Sequence, residues 1–217
     1  MRTLLFCMLA LSAGCKSTDS LPGPTVYDLS GGSSFFPDMS GDMMPPAAVL
    51  NGTIAGVAFH PTVAFSANVM GGSSNFGFIL LSDKANFCQL LSQSPAAQPA
   101  NANLMVIIVG VSDGSHTSTP TMTGTYMVAM TSTTGNIVPQ MNFSQTDAAC
   151  MSMSSTSESA ATGSIQLTSV TNGVYAGSMD VMMQMSGGGS MDHVTGEFHA
   201  QPCPGLATAF NTNPVCM

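Results

Sequence analysis

Three consecutive runs toward the C-terminus alternate apolar and polar side chains residue by residue, and a period of two commits this part of the chain to β structure. In residues 175–185, Tyr175, Gly177, Met179, Val181, Met183 and Met185 share one face, while Ala176, Ser178, Asp180, Met182 and Gln184 share the other. Residues 194–201 set Val194, Gly196, Phe198 and Ala200 against Thr195, Glu197, His199 and Gln201. Gly163, Ile165 and Leu167 stand in the same way against Ser164, Gln166 and Thr168. Each strand is expected to bury one face and wet the other, as antiparallel sheets do. Asn172-Gly173 should make a two-residue hairpin, since both residues tolerate positive φ, and Gly187-Gly188-Gly189 a looser link. Residues 161–201 are thus expected to form a three-stranded meander.

A second regularity says how such a sheet could curl. Five times a strand opens as apolar or small residue, any residue, Gly, polar residue, apolar residue: at 50–54, 122–126, 161–165, 175–179 and 194–198. A glycine facing inward admits a bulky neighbour or bends the strand, which lets a sheet close or pack face to face. Phe76–Leu81 and Leu104–Val109 read as strands buried on both faces, and Lys84–Leu91, carrying Cys88, as a short helix or turn. The expected fold is all-β: an antiparallel meander forming a barrel-like or sandwich domain over residues 47–217.

Composition narrows the partners. Only 6% of the 217 residues are charged, so the surface must be neutral and polar, while 44% hydrophobic content suffices for a sizeable core. The cations are Arg2, Lys16 and Lys84 against eleven carboxylates. Nucleic-acid affinity comes mostly from Lys and Arg neutralising phosphates, so no nucleic-acid partner is expected, nor electrostatic docking on anionic lipid.

The N-terminus points to export. Met1-Arg2-Thr3 is a positive n-region, and residues 4–13 (LLFCMLALSA) form an apolar stretch too short to span a bilayer as a stable helix. The run Leu11-Ser12-Ala13-Gly14-Cys15 resembles the lipobox of bacterial lipoproteins, in which small residues precede a cysteine that becomes acylated. The resemblance implies a signal peptide over residues 1–14 and a lipid anchor on Cys15, and the Lys16 that follows tilts the implied address to the outer membrane. Two or more acyl chains hold a protein firmly to a bilayer, at about 0.8 kcal/mol per buried CH₂. The alternative is an ordinary secretory signal with Cys15 a free thiol or disulfide partner.

Residues 16–46 hold six Ser, four Gly, five Pro and four Asp with one Lys, a composition that buries too little surface to fold. With Cys15 they are expected to form a stalk, spanning roughly 30 Å as a random coil. Asp28-Leu29-Ser30-Gly31 recurs as Asp38-Met39-Ser40-Gly41, a low-complexity duplication without the ligand offsets of a calcium loop.

Cys88, Cys150, Cys203 and Cys216 remain, an even number that in an oxidising compartment implies two disulfides. Of three pairings, chain order suggests Cys150 with Cys203, bracketing the meander, and Cys88 with Cys216, pinning the tail. No two stand two to four residues apart, as a zinc knuckle requires.

The sharpest candidate for metal chemistry is His193, Glu197 and His199 on the wet face of one strand, near Asp192, with His60 and His116 as further histidines. The polar face of a strand needs such residues anyway. Met179, Met182, Met183, Met185 and Met191 with His193 suggest soft copper ligation, although Met179, Met183 and Met185 fall on the apolar face, where methionine is a core filler. Gly-x-Ser-x-Gly, Ser-x-x-Lys and a phosphate-cradling glycine loop followed by lysine are absent. A carboxylate pair for glycoside cleavage would have to come from Asp83, Asp113, Asp147, Glu158, Asp180, Asp192 and Glu197, most of which read as turn acids.

Gly163-Ser164-Ile165-Gln166-Leu167, then Gly196-Glu197-Phe198-His199-Ala200 and Cys203, resemble the hairpin and final strand of uncharacterised exported β-rich lipoproteins common in myxobacteria. That resemblance, over roughly the last third of the chain, implies a fold class and an envelope address and carries no activity. The expected role is a non-enzymatic structural or binding one at the membrane, with no cofactor and a protein or small-molecule partner left open. The alternatives are a barrel enclosing a small hydrophobic ligand, then a zinc or copper binder.

Overall fold

In a computed structural model of the chain, residues 47–128, 134–185, 188–212 and 214–217 are described. The expected signal peptide, Cys15 and stalk lie outside them. The first strand, β1 (Ala48–Asn51), leads into a small hairpin of β2 (Thr53–Ile54) and β3 (Val57–Ala58) that turns at Ala55-Gly56. β4 (Val63–Gly71) and β5 (Ser74–Ser82) pair antiparallel, then come α1 (Phe87–Leu91), β6 (Ala97–Gln98), β7 (Asn103–Ser112), β8 (Thr117–Ser118), β9 (Gly124–Val128) and β10 (Gly135–Gln145). The meander follows as β11 (Glu158–Thr171), β12 (Val174–Met185) and β13 (Met191–Pro202), and the chain closes with α2 (Pro204–Phe210) and β14 (Val215–Cys216). The all-β expectation holds, with β11, β12 and β13 in the expected antiparallel order. Where one short helix or turn was expected, the described residues hold two short α-helices and a single 3-10 turn at Ser154–Thr156. No helix of the described residues is long and apolar enough to cross a membrane.

The large sheet is a barrel. Its strands run in the order β13, β12, β11, β9, β10, β7, β5, β4, and β4 returns to β13 through a short parallel contact, Gln201 opposite Phe65 and Pro202 opposite Ser66. β1 lies on the same edge of β13 further along, opposite Thr195–Phe198. β9 is a short wedge, parallel to β10 and antiparallel to β11. Beyond it β10 and β11 pair directly, at Asn142 with Ser159 and Phe143 with Glu158. Residues directly opposite each other share a face. By that rule four of the five recurring glycines point inward: Gly124 opposite Leu167, Gly163 opposite Val181, Gly177 opposite Phe198, and Gly196 opposite Met179. The fifth, Gly52, lies between β1 and β2.

Two cores result, one on each side of the barrel wall. The interior is filled by side chains from every long strand, among them Ile79, Leu81, Met105, Ile107, Phe143, Ile165, Leu167, Val181 and Met183, with Ile54 and Phe59 entering from the β2–β3 hairpin. Phe59 packs on Phe143 with ring centroids 5.2 Å apart. Outside, Ala67, Val69, Phe78, Leu80 and Ile108 of β4, β5 and β7 are covered by Phe87 and Leu91 of α1 and Leu206 of α2. β5 and β7 are therefore buried on both faces, as their continuous apolar sequence predicts.

The cysteines exchange partners relative to the order suggested above: Cys88 bonds Cys203, and Cys150 bonds Cys216. β13 ends where the Cys203 amide donates to the Ser66 carbonyl (2.8 Å), which sets Cys203 in the outer core beside α1. The chain end instead returns along β6, with Val215 opposite Ala97, and the Met217 carbonyl accepts from the Ala100 amide. That brings Cys216 to the turn around Asp147–Met151.

Candidate functional site

The outer face of β13 carries His193, Glu197 and His199 as the alternation predicts, but an extended strand spreads them. At about 3.4 Å per residue, His193 and Glu197 are roughly 14 Å apart and His193 and His199 roughly 20 Å, far beyond a single ion's coordination shell. His193 Nε2 instead meets Asp180 Oδ1 on β12 at 2.9 Å, both side chains exposed, and His199 lies 3.4 Å from the Gln201 side chain. His116 sits 3.9 Å from Asp113 in the turn after β7. Among the described residues no group of three or more His, Cys, Asp or Glu is placed to hold a metal ion.

The methionines divide between the two faces. Met179 and Met183 are buried in the barrel, Met182 stands opposite His193 on the outer face, and Met185 and Met191 are exposed near the β12–β13 connection. Most of the seven acids were expected in turns, but only Asp83, Asp113 and Asp147 lie there, and Glu158, Asp180, Asp192 and Glu197 lie on strands. Asp113 accepts the Ser115 and His116 amides, both at 2.7 Å, which hold its carboxyl below its ordinary value. Asp147 accepts the Ala149 and Met151 amides, and Asp83 takes the Asn103 amide and side chain and the nearby Lys84.

Two acids do something different. Glu158 opens β11 opposite Phe143, and Asp192 on β13 stands opposite Met183, so both point into one end of the barrel. The single amide of Ala55, at the tip of the β2–β3 hairpin, donates to Glu158 Oε1 (3.0 Å) and to Asp192 Oδ2 (2.8 Å). Glu158 is 3% exposed and its second oxygen is buried without a hydrogen-bond partner. Burial first, then the charge of Asp192, raise the Glu158 pKa above its ordinary value. Asp192 was legible, since it shares the parity of Val194 and Phe198. Glu158 was not, because counting back from Ile165 and Gly163 places it on the wet face. A bulge between Ala160 and Thr162 shifts the register and turns it inward.

At the opposite end, Tyr175 is held by a bond from its hydroxyl to Asn68 Oδ1 (2.7 Å), and burial pushes its pKa up to about 12. A shallow groove of about 460 Å³ opens on the outer wall where β1 and β4 meet along β13, lined by Ala47, Val63, Phe65, His199 and Gln201. No family model matches the chain, and comparison with curated proteins and with solved structures finds no match.

Proposed function

We propose that this chain is a lipid-anchored protein of the bacterial envelope, held to the outer membrane through acylated Cys15, whose barrel has a non-enzymatic structural or partner-binding role. The anchor rests on the lipobox-like run ending at Cys15, and the observation that carries the surface role is the filled barrel. Among the described residues twenty-four buried ones form one continuous cluster, and the largest of them, Tyr126, Tyr175, Phe59, Phe143 and Phe198, are at most 3% exposed. A barrel packed with side chains works through its outer surface, which speaks against the alternative of a lumen holding a small hydrophobic ligand. Two disulfides support passage through an oxidising compartment. Exposed Met70, Met122, Met127 and Met151 give the outer surface adaptable apolar contacts of the kind that docking sites use.

The test is the mass of the protein purified without denaturant from bacterial membranes. The expected species begins at Cys15, carries acyl chains and two disulfides, and retains no other molecule. Cys15→Ala should release it to the soluble fraction. A mature mass without acyl groups refutes the anchor, and a retained apolar ligand would replace the surface role with the cavity-binding one.

A further inference from the structure

Beneath the β2–β3 hairpin, two carboxyl groups face one another with a single N–H between them. Every element around them can be canvassed for a counter-charge. β10 and the hairpin contribute no titratable side chain. β12 contributes Asp180, and β13 contributes His193, Glu197 and His199, all on the outer face, with Asp180 already engaged by His193. Lys84, the one lysine or arginine among the described residues, is paired with Asp83. A buried carboxylate oxygen without a partner is costly, by several kcal/mol in a low-dielectric site. Two carboxylates this close keep a proton on one of them to a higher pH than an isolated carboxyl would.

Either a cation or a proton could relieve the pair. A divalent cation such as calcium wants six or more oxygens, and only two carboxylates converge here. The Ala55 N–H also directs the positive end of its dipole at both carboxylates, where an ion would have to sit. A proton needs one donor oxygen and one acceptor, which Glu158 and Asp192 supply.

We propose that Glu158 and Asp192 hold one proton between them, and that this shared proton fastens the β2–β3 hairpin as a plug over this end of the barrel, so that its loss frees the plug. With the proton on Glu158, its hydroxyl donates to Asp192 while both groups still accept from Ala55. Once it leaves, two adjacent anions compete for one N–H beneath a hairpin whose Ile54, with Phe59 just after it, is packed in the barrel core. The raised pKa of Glu158 fixes the sign. The stabilisation is complete below the pKa that glutamate has in the unfolded chain, and is lost as pH rises through the higher folded-state value.

The experiment is hydrogen exchange at the Ala55 amide of the whole mature protein across pH, divided by the intrinsic exchange rate, together with the carboxyl NMR titration of Glu158. Protection in the wild type should fall as pH climbs above the ordinary glutamate range, in step with the Glu158 titration. Glu158→Gln keeps an acceptor for Ala55 and a donor for Asp192, so its protection should stay high and lose its pH dependence. Asp192→Asn should move the Glu158 midpoint down. A Glu158 carboxyl titrating in the ordinary range in the wild type overturns the proposal whether or not either variant folds. So does calcium restoring Ala55 protection at neutral pH, which would make the pair a cation site.

Discussion

At Gly163 the strands β11 and β12 run so close that a Cβ would enter the backbone of Asp180 and Val181, and its φ of +119° lies where side chains are rarely tolerated. Gly163→Ala therefore combines overpacking with backbone strain. It should cost about 1–3 kcal/mol from the first and a comparable amount from the second. Urea denaturation should show a lower midpoint, and an unchanged midpoint would mean that the strand pair separates at no cost. The five-residue glycine pattern made this position legible from sequence alone. Glu158 shows the limit of the same reasoning, because strict alternation holds only between bulges. One extra residue at Ala160–Thr162 reverses which side chains face the core, and no residue type there announces it.

The two short helices show how elements depend on context. The apolar runs in β5 and β7 announce that both faces are covered, but what covers them is not written locally. Pro204–Phe210 is seven residues long with Gly205 and Thr208 inside it, too short and too poor in helix formers to stand alone. It exists because Phe210 stacks edge-on against Phe78 at 5.5 Å and because Cys203, just before its first turn, is bonded to Cys88 of α1. Cysteine pairing is the part of a fold that spacing alone cannot decide, since it follows where strands end in space. Replacing Cys88 and Cys203 by Ala should cost on the order of 2–5 kcal/mol and expose the outer core to a hydrophobic dye. Replacing Cys150 and Cys216 should lower stability without increasing dye binding. Equal dye binding by the two variants would show that α1 and α2 stay in place without their bond.

Over the whole molecule, the barrel is closed by strands from its two ends. β13 receives β1 and β4 on one edge, joining residues 201 and 65 across most of the domain. That parallel contact has no local signature, which is why the alternation and turn signals identified an all-β meander yet left barrel and sandwich equally open. A chain stopped after Ser190 keeps β1–β12 but loses the strand that closes the ring, and it should show no cooperative urea transition. A cooperative transition would mean that the open sheet is stable by itself. The same closure has a temporal side. A polypeptide that is made, or threaded through a narrow pore, from its first residue onward presents β1 and β4 long before the segment they match. Until Pro202 has followed, the contact between β4 and β13 cannot form, so the ring locks only after the segment that reaches Pro202 has emerged.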